Sequence, residues 1–274
     1  MTDLIPRHLI WLRAGGRSDH TIHDRERLLN HANRHLPHGL DNAHTEEIQA
    51  YQANSRWSDW TRFTYDGHLR GYYTWGVNAG HYTMDPTAAI PRPREGDRLP
   101  DPITDDELAA LFARAPAHWH LVFVLCAYAG LRVSEAARLD RQDITADRIR
   151  VRLGKGRKDA YVDTHPRVWS MVRTLPAGPV VRDHRGQPVT GYQLTNRSWH
   201  LFHNTLGMPD VHLHRLRHWY ATALLGAGAD LETVRQCMRH ARITSTVGYT
   251  LIASEKRRTA VMTLPVVGGA PAED

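Results

Sequence analysis

Lysine is nearly missing from this 274-residue chain. Of 35 basic residues only Lys155, Lys158 and Lys256 are lysines, so arginine supplies the generic positive charge and each lysine needs its own explanation. Cysteine is equally scarce. Cys126 and Cys237 stand in apolar or helical-looking stretches, which reads as buried thiols in a reducing cytoplasm. Long hydrophobic runs are missing too. The longest, Leu121–Leu131, is eleven residues with a glycine inside it, whereas a bilayer-spanning helix needs about 20. The N-terminal MTDLIPRHLI lacks the basic-then-apolar layout of a secretory signal. No internal repeat, low-complexity tract or heptad pattern is present. These absences argue against a membrane protein, and the expected location is the cytoplasm.

Charge is present but unevenly placed. Residues 1–99 hold 12 basic and 12 acidic residues, so the formal net charge of +6 lies wholly in residues 100–274. A positive field on one half suggests a polyanionic partner.

The hydrophobic pattern organises the chain. Pro6–Ala14 reads as a short helix ended by Gly15-Gly16. Thr21–Leu36 reads as a second, with Thr21 as its cap, and Thr45 opens a third with Glu46 and Glu47 at its positive end. Ser58–Ala79 is a fourth. Its Trp60, Phe63, Tyr72, Tyr73 and Trp75 recur at helical spacing and are expected in the core, not stacked on bases. These four helices give a compact domain over residues 1–91. Residues 92–102, broken by prolines, form a linker. Thr104-Asp-Asp-Glu107 is a capping box opening the next helix, and Trp119–Ala129 is apolar all round, as a buried helix is.

Arg148-Ile-Arg-Val-Arg-Leu153 alternates strictly, so a strand there presents Arg148, Arg150 and Arg152 on one face. Gly154-Lys-Gly156 turns the chain and Ala160–Asp163 returns it: a β-hairpin with a basic face, to which Arg157 and Lys158 add charge. Segments 190–206, 214–226 and 230–240 read as helices. The second domain thus covers residues 103–264, and the small, Pro/Gly-rich residues 265–274 form a flexible tail. The fold class is mainly α with a small antiparallel β-sheet.

Four separated pieces carry chemistry: Gly130-Leu-Arg132-Val-Ser-Glu135, Lys155, His214-Arg-Leu-Arg217-His218, and His240 followed nine residues later by Tyr249. Each alone has a bland reading: Arg132 as a surface ion-pair partner, His214 and His218 as one wall of a helix or a metal pair, Tyr249 as one of ten tyrosines. Together, in this order, they resemble the tyrosine recombinase (phage integrase) family. Its Gly-Leu-Arg-x-Ser-Glu string is matched at 130–135, its glycine-flanked hairpin lysine at 154–156, its His-x-x-Arg-His string at 214–218 and its terminal His-to-Tyr spacing at 240–249. One departure stands out. Where the family commonly has Leu-Gly-His, this chain has Met238-Arg239-His240, and the added Arg239 is expected to touch DNA.

The resemblance implies a four-helix, SAM-like core-binding domain followed by an α+β catalytic domain, the two closing on opposite sides of a duplex. It also implies a short form without a separate arm-binding domain. Tyr249 is then the nucleophile of a 3′-phosphotyrosyl intermediate, His214 its base and His240 a donor to the phosphate. Residue chemistry agrees. Arginine forks suit non-bridging phosphate oxygens, which points to Arg132 and Arg217. A leaving 5′-oxygen needs a proton that lysine gives more readily than arginine, which points to Lys155, with Lys158 as the alternative. Glu135, one turn from Arg132, is placed to orient the cationic cluster.

No cofactor and no metal are expected. The expected partners are double-stranded DNA recombination sites, a homotetramer on paired sites, accessory DNA-bending or directionality proteins, and no membrane. Val261, Met262 and Leu264 would dock on a neighbouring subunit or on their own domain. The resemblance leaves three functions open: phage or mobile-element integration and excision, chromosome-dimer resolution, or DNA binding without cutting. A metal-dependent nuclease is disfavoured, because His214 and His218 lack an adjacent glutamate and no carboxylate cluster stands ready for magnesium.

Overall fold

The computed structural model of the protein describes residues 4–95, 100–152 and 159–239. The chain divides into two compact units, Met1–Asp97 and Arg98–Asp274.

The first unit holds helices α1 (Ile5–Ala14), α2 (Asp19–His35), α3 (Thr45–Gln52) and α4 (Asp59–Asn78). Proline stands in the first turn of α1, where its missing N–H costs nothing. Helix α2 is capped three residues earlier than Thr21: Ser18 is the cap, its Oγ accepting the Thr21 N–H at 3.2 Å. Both residues suit a cap, and chain geometry picks the earlier one. Helix α3 begins at Thr45, with Glu47 reaching back to the His44 N–H at 3.0 Å. The core gathers Leu9, Leu12, Leu29, Ile48, Leu69, Tyr72 and Tyr73. Tyr73 resolves its buried hydroxyl by donating to the Leu40 carbonyl at 2.7 Å, and Tyr72 donates to Asp41. The aromatic expectation for α4 needs one correction. Tyr72, Tyr73 and Trp75 are core, but Trp60 is 37% exposed and Phe63 only half-buried, since both lie in the first two turns of α4, ahead of the packed stretch.

The second unit holds α5 (Asp105–Arg114), α6 (Ala117–Tyr128), α7 (Val133–Ala137), strands β1 (Arg148–Val151) and β2 (Ala160–Asp163), then α8 (Pro166–Val172), α9 (Gly191–His200), α10 (Leu213–Gly226) and α11 (Leu231–Met238). Helix α5 opens with the Thr104 capping box, Glu107 N–H to Thr104 Oγ1 at 3.1 Å and Thr104 N–H to Glu107 Oε2 at 2.8 Å. Helix α6 is the centre. Val122 through Ala127 are all buried, and α8 and α10 pack on it. The described sheet is one antiparallel pair, Ile149 opposite Val162 and Arg150 opposite Tyr161. Residues 153–158 lie outside the described residues. Alternation does what the sequence requires: Ile149, Val151 and Val162 are buried, Arg148, Arg150 and Arg152 exposed.

Arg215 is a tie that sequence reading assigned no role. Only 6% exposed, it pairs with Asp101 at 3.0 Å and Glu107 at 3.3 Å and donates to the Pro102 and Asp210 carbonyls. It thus fastens α10 to the segment entering α5. Cys126 is buried and its thiol is pushed up to about 12 by that burial; Cys237 is half-buried, and both are free. Among the described residues, no helix is long and apolar enough to cross a membrane.

Candidate active site

The first half of the site is built by a helix start. Arg132 is the N-cap of α7, and Glu135, one turn on, reaches back to it twice. The Arg132 N–H donates to Oε2 at 2.9 Å and its Nη1 to Oε1 at 2.9 Å. A carboxylate at this end of a helix also meets the positive end of the peptide dipoles. The Glu135 side chain is 5% exposed, the Arg132 side chain 41%. Burial alone pushes the Glu135 carboxyl up. Arg239, followed by the Arg132 N–H and guanidinium, more than offsets this and holds it below the usual carboxylate range.

The second half comes from α10. His214 lies in its first turn and Arg217 one turn further along the same face. Arg217 is 1% exposed. Its Nη2 donates to the Met238 carbonyl at 2.6 Å and its Nη1 to the Gly130 carbonyl. These bonds join α10 to the loop before Arg132 and to the end of α11. Gly130 has φ +56°, and a Cβ there would lie 2.4 Å from the Tyr220 ring. Tyr220 is therefore a half-buried packing partner. His214 keeps a solvent-exposed edge, yet protein crowding, then the charges of Arg217, His212 and Arg132, bring its imidazolium down to about 4. The ring is neutral at pH 7. Its T-shaped neighbour is His218, at 4.4 Å between centroids.

Arg239, expected to touch DNA, is turned inward in the free protein. Its side chain is 7% exposed and bonded inward: Nη2 to Glu135 Oε2 at 2.6 Å and to the Gly130 carbonyl at 3.1 Å, Nη1 to the Cys237 carbonyl at 3.1 Å. The backbone explains this. Arg239 ends α11 at φ 54°, ψ 41°, in the left-handed region, and its side chain meets an otherwise half-compensated carboxylate. Thus hydrogen bonds join Arg132, Glu135, Arg217 and Arg239 into one cluster, and His214 lies in the field of Arg217 and Arg132. Lys155, His240 and Tyr249 lie outside the described residues, as do Arg157 and Lys158.

Next along the chain, the hairpin arginines are less free than their alternation suggests. Arg150 pairs with Asp159 at 2.5 Å and Arg152 with Asp143 at 2.7 Å, while Arg148 stacks over Tyr161 at 5.3 Å. The Arg150 pair is open to solvent, where ion pairs are screened and weak. Asp143 is only 2% exposed, so Arg152 is more firmly committed.

The family model of the phage integrase family matches residues 102–256, more than half of the chain and the whole span of the cluster. The chain belongs to the phage integrase family. Among curated relatives, the tyrosine recombinase XerC of Staphylococcus carnosus is 25% identical over 207 residues, covering 69% of this chain and 70% of that protein. The fold of lambda integrase, crystallised as a dimer bound to a COC′ core site, superposes with a TM-score of 0.73 at 17% identity, over 88% of this chain and 95% of that one. A lambda integrase tetramer bound to a Holliday junction gives 0.72 at 17% identity, over 88% and 77%. Sequence reading missed the burial of Arg239 because a charged residue after a helix ordinarily faces water. The one available signal was that the departure occurs where the family commonly uses glycine.

Proposed function

We propose that this protein is a site-specific DNA recombinase of the tyrosine type, cutting and rejoining duplex DNA through a covalent bond to Tyr249. The observation that supports the reading best is the convergence of Arg132, Glu135 and Arg217, from segments some eighty residues apart, on one set of hydrogen bonds shared with Arg239, with His214 in the field of Arg217 and Arg132.

The Tyr249 hydroxyl attacks the scissile phosphorus and its proton passes to His214. A phosphorus–oxygen bond forms to tyrosine, the bond to the 5′-oxygen breaks, and Lys155 protonates that oxygen. Arg132 and Arg217 hold the non-bridging oxygens, with His240 as a further donor, and each such preorganised contact contributes about 3–4 kcal/mol to lowering the barrier. A 5′-hydroxyl from another strand reverses the step, so the phosphodiester energy is conserved without a nucleotide. A phosphate beside Arg132 and Arg217 offsets the charges that depress His214, raising its basicity when DNA is bound. Arg217 is enclosed in the free protein, so reaching a phosphate requires its cover to open on DNA binding.

Residues 1–91 and 103–264 are the DNA-binding and catalytic domains in this account, joined by 92–102, with 265–274 as a tail. Arg148 and Arg150 contact the DNA backbone, and Arg157 and Lys158 add to the contact. Assembly is a homotetramer on paired sites, with accessory DNA-bending proteins where direction is imposed. The biological role is integration and excision of a phage or mobile element. A recombination assay tests this, using two copies of the DNA that flanks the coding locus, in excess chelator. Recombinant product that Tyr249→Phe abolishes is the expected result. Tight binding without product would instead favour a non-cutting DNA-binding protein.

A further inference from the structure

We infer that Arg239 is a positioning residue of this chain: it neutralises Glu135 from the inside and so leaves Arg132 able to turn its guanidinium from that carboxylate to a scissile phosphate. The inference rests on the recombinase reading above.

Three observations carry it. The first is the backbone. Arg239 is the one non-glycine residue with positive φ among the described residues. Glycine adopts that conformation without strain and arginine does not, so the side chain must repay what the backbone loses. The second is where that side chain goes. It turns away from solvent onto Glu135 Oε2 at 2.6 Å and onto the Gly130 carbonyl, the acceptor that also holds Arg217. Arg239 therefore touches both acceptors that orient the two proposed phosphate arginines.

The third is the order of burial. Glu135 is clasped by two arginines, one on each oxygen: Arg239 on Oε2, 7% exposed, and Arg132 on Oε1, 41% exposed. An enclosed carboxylate cannot stay ionised without a cation, and with a single partner it would grip that partner hard. The inner arginine supplies the permanent compensation. The outer one, open to solvent, becomes exchangeable, and a phosphate oxygen can replace Oε1 on Nη1 without leaving Glu135 bare. Glu135 still orients Arg132 through its N–H, whose bond to Oε2 is independent of the guanidinium. Two cations on one carboxylate thus divide the work, one for charge and one for substrate.

The test is single-turnover cleavage of a nicked duplex by the full chain, comparing wild type with R239G, R239K, E135Q and the double variant R239G/E135Q. Glycine suits the backbone of position 239, so R239G is expected to fold. If it does not, R239N, which also tolerates the left-handed region, carries the same comparison. The inference predicts that R239G cleaves at least tenfold more slowly at saturating DNA, because Glu135 then retains Arg132. Removing the carboxylate charge as well restores at least threefold of that loss, so R239G/E135Q outpaces R239G, and R239K lies between R239G and wild type. R239G within twofold of wild type would overturn the inference. So would a double variant slower than R239G, the accumulation expected if both residues were only scaffolding. A wild type that forms no covalent product would instead remove the recombinase reading, and this inference with it.

Discussion

Arg217 and Arg239 share one acceptor. Both guanidinium groups donate to the carbonyl of Gly130, Arg217 from α10 and Arg239 from the end of α11, at 3.1 Å for the latter. A carbonyl has two lone pairs, and here both serve arginines of the cluster. The loop before Arg132 is thereby held by the helices that carry the rest of the site, so its glycine is structural in a strict sense.

Gly130→Ala is accordingly expected to damage the protein. The left-handed φ costs about 1–2 kcal/mol for a residue with a Cβ, and the collision with the Tyr220 ring adds about 1–3 kcal/mol. Chemical denaturation should show a loss of that summed order. Unchanged stability would mean that the loop is not held as described.

The basic hairpin face makes a prediction in salt. Each phosphate contact contributes a slope of about −0.9 to log K against log salt. Arg148→Ala and Arg150→Ala should each flatten the slope by about that amount and weaken binding to all duplexes alike. Slopes identical to wild type would remove these residues from the DNA interface.

Acid should weaken the first unit. His8 is 1% exposed among Trp11, Tyr72 and Trp75; its imidazolium is lowered to about 4 by burial, then by Arg25 and His68. His68 is likewise lowered to about 4, by burial and Arg25. Because the unfolded chain binds these protons first, near pH 6.5, the stabilisation is complete above that pH and is lost as pH falls towards 4. For the enclosed His8 the loss amounts to about 3 kcal/mol. Urea melts followed by tryptophan fluorescence between pH 7.5 and 4.5 should show it, and His8→Phe should flatten the profile. A wild-type profile already flat across that range would contradict the assignment.

His214→Gln is expected to slow cleavage by about 10²–10⁴-fold, the usual contribution of a general base, while DNA affinity changes little. In the DNA-free protein the His214 ring should titrate near 4, which a histidine NMR titration reads directly. A midpoint near 6.5 would mean that the ring is not crowded by protein and flanked by cations as described.

Much of this was legible in the sequence wherever a local rule decides the outcome. The Thr104 capping box, the alternating β1 and the continuous apolar α6 each follow from spacing alone, and each is found. What escaped depends on partners distant in the chain. Arg239 reads as a surface residue until Glu135, 104 residues earlier, closes on it, and Arg215 reads as filler inside a motif until Asp101 and Glu107 meet it. The short helices α7 and α8 escaped because five and seven residues hold too few turns for a period to register. Trp60 was misplaced because helical spacing predicts a shared face, not where along the helix the packing begins.

The most direct test of the central claim traps the covalent intermediate. A duplex carrying a nick near the cut releases a short fragment and cannot be religated, so the protein stays bonded to the cleaved DNA. Incubated with the full chain in excess chelator and resolved on a denaturing gel, wild type should give a slower-migrating band. The band should be absent for Tyr249→Phe, and mass spectrometry should place the DNA on the peptide containing Tyr249. A protein that binds this duplex tightly and gives no such band, or a band that persists in Tyr249→Phe, would contradict the account.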